Sequence, residues 1–131
     1  MNLNQSLASK FEYEIKKSKF IALVYELKTK NDFENIYKFI KEEYAKANHI
    51  CYAYLVENTG KYYDAGEPKG TAGKPIYQLL MKLGLNQIAV FVIRYFGGIK
   101  LGSGNLIRSY VKSANEAIKI FQNKNIKDIH I

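Results

Sequence analysis

The chain of 131 residues contains one cysteine, two prolines, no tryptophan and only two arginines. A lone cysteine, Cys51, excludes an internal disulfide and fits a reducing cytosol. The longest strongly apolar run, residues 88–93, is far too short to cross a bilayer. Residues 1–10 are polar and contain no apolar stretch of signal-peptide length. We therefore expect a soluble, cytoplasmic protein that has no membrane partner.

The remaining composition is that of a globular and strongly basic protein. Apolar residues make up 47% of the chain and aromatic residues 14%, which is enough for one buried core. The formal net charge is +8, and such a charge favours a polyanionic partner, nucleic acid before a membrane surface. A lysine-rich surface that only keeps the protein in solution explains the charge equally well. We expect a single domain over residues 1–131 with its core at about 10–121.

Residue patterns predict the element order β-β-α-β-β-α-β-α-β. The predicted strands cover residues 11–15, 20–27, 49–57, 61–64, 88–96 and 126–131. The first helix follows a cap at Asn31 or Asp32. Pro75 is expected in the first turn of the second helix, and the third runs from about 104 to 121. This order predicts an α+β fold, a two-layer sandwich in which helices pack on one face of a mostly antiparallel sheet.

A glycine-rich turn between a predicted strand and a predicted helix is the strongest site candidate. Four of the nine glycines lie within residues 97–104. Backbone N–H groups in such a turn can approach a ligand closely, and the positive end of the helix favours an anion such as phosphate. Arg94 and Arg108 bracket the turn, and a guanidinium fork suits phosphate or carboxylate. A purely structural connection is the alternative, because the spacing matches neither a dinucleotide fingerprint nor a P-loop.

The candidate contacts for phosphate or nucleic acid combine this turn with nearby basic residues. They are Arg94, Tyr95, Gly97, Gly98, Lys100, Gly102, Ser103, Gly104, Arg108, Lys69, Lys74 and Lys112. The basic turn at residues 16–19 would widen the same positive surface.

A second loop, residues 64–74, carries charges of both signs. Asp64 and Glu67 are weak candidates for a magnesium site, with a bound phosphate completing the metal's ligands. Internal salt bridges and a cap from Thr71 to the helix at Pro75 are the favoured explanation. We expect no metal and no cofactor.

His49 and Cys51 lie two residues apart on a predicted strand, so that both face the same side of the sheet. A cysteine–histidine nucleophile pair is conceivable, but no third member is evident. A buried thiol and a hydrogen-bonded histidine are the favoured explanation. Zinc is disfavoured as well, because His130 is the only further histidine.

Tyrosine is abundant, with 11 copies. Tyr52 and Tyr54 share one strand face, where they either stack on bases or pack under the helices. Packing is favoured for most of the tyrosines. Tyr62, Tyr63 and Tyr95, beside the two loops, are better placed to meet a ligand.

Four separate segments together resemble the YigZ/Impact family. They are residues 18–20 (SKF), 47–54 (ANHICYAY), 64–75 (DAGEPKGTAGKP) and 94–102 (RYFGGIKLG). The resemblance extends over residues 10–120 in the family's order and spacing. The chain departs from the family pattern at Ala65 (usually a second aspartate), Lys69 (often serine) and Asn105 (typically glycine).

The resemblance implies the fold of the second domain of ribosomal protein S-five, and no established enzymatic activity. It also implies a role near translation, since the eukaryotic namesake restrains a starvation-responsive kinase of initiation. Nucleic-acid or ribosome binding has been proposed for bacterial members. Those relatives usually carry a second, ferredoxin-like domain, which we expect to be absent here.

The leading expectation is a non-enzymatic module that binds RNA or the ribosome and acts in the regulation of translation. One alternative is a phosphate- or nucleotide-dependent enzyme that uses the 97–104 turn. Residues 101–104 loosely resemble the glycine-serine phosphate loop of small-molecule kinases, with Asp64 or Glu67 then holding magnesium. Another alternative is a protein-interaction domain whose basic face docks an acidic partner.

Overall fold

The computed structural model describes the backbone of residues 6–129 and the side chains of residues 6–124. In chain order the elements are β1 (Leu7–Ile15), β2 (Ser18–Glu26), α1 (Lys30–Glu43), β3 (His49–Val56), β4 (Thr59–Tyr63), α2 (Gly73–Lys82), β5 (Ile88–Tyr95) and α3 (Ser103–Ile129). Among the helices of this described part, none combines the length and apolar character needed to cross a membrane.

The strands form one sheet in the order β1-β2-β5-β3-β4, and every neighbouring pair is antiparallel. Lys16 and Lys17 connect β1 to β2, and both have positive φ (47° and 65°). Positive φ at both central residues matches the twist of a tight hairpin, which sets the register of the two strands. The central strand β5 is buried from Ile88 to Arg94, as its apolar run predicts.

Side chains of the central strands point alternately into two separate cores. Phe20 and Val24 of β2 belong to the core between the sheet and the helices α2 and α3. Ile21 and Leu23 of the same strand belong to a second core, on the face covered by α1. The α+β class and the antiparallel sheet are confirmed, but the placement of every helix on one face is wrong. Because the central strands are apolar on both faces, a sheet covered on one face only would leave the second core in water.

The N-terminus of α1 is closed by a reciprocal pair of hydrogen bonds. Thr29 is the N-cap, and its Oγ1 accepts from the backbone N–H of Asp32 at 3.2 Å. The carboxylate of Asp32 accepts in return from the N–H of Thr29 at 3.0 Å. The expected cap at Asn31 or Asp32 is therefore wrong by two or three residues, because Asp32 acts as the third residue of a capping box.

The helix α2 begins at Gly73, and Pro75 lies in its first turn, as expected. One other boundary differs from the sequence-based expectation. An edge strand was expected at 126–131, but α3 continues to Ile129, so the expectation is wrong for residues 126–129. Residues 130 and 131 lie outside the described part. No glycine or proline interrupts residues 105–131, so nothing in the sequence forces the helix to stop earlier.

Candidate nucleic-acid interface

Both predicted site loops lie at the same end of the sheet. The registers Lys19↔Tyr95 and His49↔Arg94 place the start of β2, the start of β3 and the end of β5 side by side. The N–H of Phe96, at the start of the glycine turn, donates to Asn48 Oδ1 at 2.8 Å. On the other loop, the carbonyl of Ala65 accepts from His49 Nδ1 at 2.8 Å. Residues as far as 79 apart in the sequence, Ser18 and Gly97, are thus brought together at this end.

A buried ion pair lies beneath this surface. Nη1 of Arg94 donates to both carboxylate oxygens of Glu67, at 2.9 and 2.8 Å. The hydroxyl of Tyr110 donates to the same carboxylate at 2.5 Å, and Nη2 of Arg94 donates to Ser18 Oγ at 3.3 Å. Arg94 is only 5% exposed and Glu67 8%. These two charges neutralise each other inside the protein.

The prediction that Arg94 contacts phosphate is therefore wrong. Its guanidinium is committed to a carboxylate of its own chain, and its buried Nε has no hydrogen-bond partner among the described residues. Arg108 lies instead on the exposed surface, where Nη2 donates to Asn105 Oδ1 at 2.8 Å. The two arginines that bracket the turn in the sequence therefore do not share one exposed site, because Arg94 is buried and Arg108 is exposed.

His49 and Cys51 do not form a nucleophilic pair. Nε2 of His49 lies 3.4 Å from Glu67 Oε1. The thiol of Cys51 lies 3.3 Å from the carbonyl oxygen of Asp64 and 3.4 Å from the hydroxyl of Tyr110. Burial raises the pKa of Cys51 to about 12, although the hydrogen bond with Tyr110 acts in the opposite direction. The sulfur is therefore a protonated, structural thiol at neutral pH.

The carboxylate of Asp64 caps the helix α2 from a distance. Oδ1 accepts from the backbone N–H groups of Ala72 at 3.1 Å and Lys74 at 3.4 Å, and Oδ2 accepts from Gly70 at 2.9 Å. The hydroxyl of Thr71 donates to the carbonyl of Pro68 instead, so the expected cap from Thr71 is wrong. Negative charge at this position also suits the positive end of the helix.

Both carboxylates named as magnesium candidates accept hydrogen bonds within the chain. Asp64 is used by the N-terminus of α2, and Glu67 by Arg94 and Tyr110. Among the side chains of residues 6–124, no cluster of three or more histidine, cysteine, aspartate or glutamate residues is placed to hold a metal ion.

At Gly97, the first glycine of the turn, the backbone packs closely against the β1–β2 hairpin. A Cβ on Gly97 would lie 1.9 Å from the carbonyl oxygen of Lys17, so no side chain fits there. Gly98 and Gly102 have φ of 91° and 80° and no neighbour within 4 Å of a Cβ. Lys100 is exposed between them. The first half of the turn is thus structural, and the second half is open to the surface.

The surface around the turn is rich in unpaired positive charge. Between residues 58 and 115 the only acidic residues are Asp64 and Glu67, and both are bonded inside the chain. The exposed basic side chains at or near this end of the sheet are Lys16, Lys17, Lys19, Lys69, Lys74, Lys100, Arg108 and Lys112. One of them, Lys19, forms an exposed ion pair with Glu12 at 3.5 Å. The remaining charges make this end of the molecule basic.

The predicted aromatic contacts separate into two groups. Tyr52 and Tyr54 are 8% and 1% exposed and pack around Phe33 of α1, as expected for core residues. Tyr62 and Tyr63 on β4 are 42% and 47% exposed. Tyr95, also predicted as a contact, is half-buried within β5.

Sequence reasoning missed three residues of this region. Ser18 and Tyr110 complete the hydrogen bonds of the buried ion pair. Phe96 is 45% exposed directly after β5. The sequence did contain a signal for Phe96, because this phenylalanine follows a buried strand and precedes two glycines.

A groove of about 1100 Å³ lies at the opposite end of the sheet. It is lined by Glu26 and Ile88, which pair with each other where β2 ends and β5 begins, and by Phe39 of α1. Side chains of both charges surround it, including Lys38 and Glu42. None of the predicted contact residues lines this groove.

The sheet with its α2–α3 face, together with the segments 18–20, 47–54, 64–75 and 94–102, is matched in a family of domains. The chain belongs to the Impact N-terminal domain family, whose sequence model matches residues 16–118. It is 40% identical to the IMPACT family member YvyE of Bacillus subtilis over 114 residues, which cover 85% of this chain and 52% of that protein. It is 36% identical to the IMPACT family member YigZ of Escherichia coli over 112 residues, covering 81% and 54%. The resemblance seen in the sequence is thereby confirmed.

Two solved structures share the fold. A crystal structure of a hypothetical protein superposes with a TM-score of 0.81 at 34% identity, over 85% of this chain and 56% of the other. The two-domain translational regulator Yih1 superposes with a TM-score of 0.52 at 19% identity, over 86% and 45%. The chain spans about half the length of the curated relatives it matches.

Proposed function

We propose that this domain is a cytoplasmic nucleic-acid-binding module, directed to RNA or a ribonucleoprotein such as the ribosome, with a role in the regulation of translation. The observation that carries the proposal is the charge distribution at one end of the sheet. The two carboxylates of the loop before α2, Asp64 and Glu67, are bonded within the chain, whereas the lysines and Arg108 stay exposed. A structural neighbour, Yih1, is a translational regulator, which supports the translational setting.

The buried ion pair supports this function indirectly. Glu67 would repel phosphate if it were exposed, but its charge is neutralised by Arg94 below the surface. Asp64 is likewise engaged by the N–H groups of α2. The field above this end is therefore set by the exposed cations, and phosphates are attracted over a distance of about one Debye length, roughly 8 Å.

The phosphate contacts are expected at the open half of the glycine turn and around it. Lys100 and Arg108 provide charge, and the exposed Gly102, Ser103 and Gly104 provide backbone and hydroxyl groups. Lys69, Lys74 and Lys112 extend the contact along the neighbouring loop and helix. Contacts of this kind hold the backbone of a nucleic acid and convey little sequence preference.

The test is a titration of the protein with labelled RNA at several salt concentrations. The affinity should fall steeply as salt rises, because each phosphate contact releases counterions. A Lys100→Gln, Arg108→Gln variant should bind more weakly and reduce the slope of log affinity against log salt by about 0.7 per lost contact. Lys38→Gln, Lys82→Gln is the matched control, since it removes the same charge from residues exposed away from this end. An affinity that hardly changes with salt would refute the proposal.

Two rival functions give different results in accompanying experiments. Recovery of a protein partner that survives nuclease treatment would indicate a protein-interaction domain. Thermal stabilisation by a nucleotide only in the presence of magnesium would indicate an enzyme on phosphorylated substrates. We expect neither result. For the enzyme the reason is that Asp64 and Glu67, the carboxylates proposed to hold magnesium, are engaged within the chain.

A further inference from the structure

An exposed phenylalanine stands at the edge of the basic surface. Phe96 follows β5 directly, and 45% of its surface is exposed to solvent. A second apolar residue of the same turn, Ile99, is 43% exposed. Both lie close in sequence to the exposed Lys100. Apolar side chains with positive charge beside them fit a partner that offers flat apolar surfaces together with phosphates.

The ring of Phe96 is held in place from below. Its own N–H donates to Asn48 Oδ1 at 2.8 Å, which fixes the backbone. The guanidinium carbon of Arg94 lies 5.5 Å from the ring centroid, within the range of a cation–π interaction. Arg94 in turn is immobilised by Glu67 and Ser18. The ring is thus preorganised by a buried cation, which lowers the entropy cost of binding.

We infer that Phe96 is a stacking platform for an unpaired base, so that this surface binds single-stranded RNA in preference to duplex RNA. The inference rests on the proposed function and specifies its ligand. Bases of a single strand stack on exposed aromatic rings, and this contact accepts any base. In a duplex the bases are already stacked on one another, so the ring would gain no partner there.

The position of the ring favours RNA over an acidic helical peptide. A peptide helix docks its apolar face in a groove that accepts a row of side chains. Phe96 lies on a turn beside Gly97 and Gly98, and it lines neither the groove of about 1100 Å³ nor the smaller groove bordered by Tyr77 and Met81. A single raised ring with flanking cations suits one base and its phosphates.

The absence of tryptophan from the sequence allows a direct test. Phe96→Trp would introduce the sole tryptophan at the proposed platform, and Met81→Trp would place it at another exposed apolar residue, in the last turn of α2. A single-stranded RNA of about 12 nucleotides should quench the fluorescence of the first variant but not of the second. The same sequence as a duplex, and heparin as a polyanion without bases, should leave both unchanged.

Affinity measurements at fixed salt give a second readout. Phe96→Ala and Phe96→Leu should each weaken single-strand binding by about tenfold, because both remove the aromatic face. Duplex binding and the salt slope should not change, and Met81→Ala is the matched control. Equal loss for single strand and duplex, full retention in Phe96→Leu, or absence of quenching while RNA still binds would each overturn the stacking inference and leave the proposed function standing. Failure of the unmodified protein to bind any RNA would overturn both.

Discussion

Both carboxylate oxygens of Glu67 accept hydrogen bonds from one nitrogen of Arg94, at 2.9 and 2.8 Å, in the interior of the protein. Glu67 lies on the loop before α2, and Arg94 lies near the end of the central strand. The pair therefore fastens the loop to the sheet. The several donors of the guanidinium are divided between two partners, because Nη1 bonds the carboxylate and Nη2 donates to Ser18 Oγ at 3.3 Å.

Breaking this pair should be strongly destabilising. Glu67→Gln would leave the buried guanidinium without a counter-charge, and we expect a loss of about 3–5 kcal/mol in the free energy of unfolding. Arg94→Met should cost a similar amount, but the double variant should cost much less than the sum, since neither charge is then left unpaired. Urea unfolding of the four proteins measures this coupling.

The exposed pair between Lys19 and Glu12 provides the control. Its members are about half exposed and 3.5 Å apart, and water screens such pairs. Glu12→Gln should change the free energy of unfolding by less than about 1 kcal/mol. If the losses in free energy of unfolding from Glu67→Gln and Arg94→Met simply add in the double variant, the two buried charges do not stabilise each other.

The sequence predicted the chemistry of Arg94 but not its partner. A guanidinium beside a glycine turn suits phosphate or carboxylate equally, and only the fold brings Glu67 to it from 27 residues away. The burial of Tyr52 and Tyr54 could be predicted, because they lie on an apolar strand. The placement of α1 could also have been predicted. The runs at residues 20–25 and 88–93 are apolar on both strand faces, so helices are needed on both faces of the sheet. The alternation at 126–131 is short, and short patterns do not separate strand from helix.

Asp64 should contribute to stability through the helix N-terminus rather than through a metal. Asp64→Ala removes the acceptor of three backbone N–H groups, and we expect a loss of about 1–2 kcal/mol. Asp64→Asn keeps one acceptor oxygen and should lose less. Millimolar magnesium should not raise the melting temperature of the unmodified protein. A magnesium-dependent rise that Asp64→Asn abolishes would contradict this assignment.

Stability should decrease at alkaline pH because buried groups keep their protons in the folded state. Burial raises the pKa of Tyr25 and of Tyr52 to about 12, and that of Cys51 also to about 12. In the unfolded chain these groups ionise near their ordinary values, about 10 for tyrosine and 8.5 for cysteine. Their contribution is thus complete below those values and is lost as pH rises towards 12.

The measurement is the urea midpoint from about pH 8 to about pH 11. It should fall over this range, and the fall should be shallower in Tyr25→Phe, which removes one ionisable hydroxyl from the core. A midpoint that stays constant to pH 11, or an identical slope in Tyr25→Phe, would contradict the assigned protonation states.

Two glycines of the same turn should respond in opposite ways to alanine. At Gly97 a Cβ would lie 1.9 Å from the carbonyl oxygen of Lys17 and 2.1 Å from its carbon, so the β1–β2 hairpin must move away from β5. Gly97→Ala should therefore cost at least about 1–3 kcal/mol, the usual range for overpacking. At Gly104 the nearest atom is the end of the flexible Arg108 side chain, at 3.3 Å, which can rotate aside. Because alanine favours the helical backbone, Gly104→Ala should be neutral or stabilising by up to about 0.5–1 kcal/mol. Urea unfolding of both variants checks the contrast, and equal losses would show that the contact between Gly97 and the hairpin does not constrain the fold.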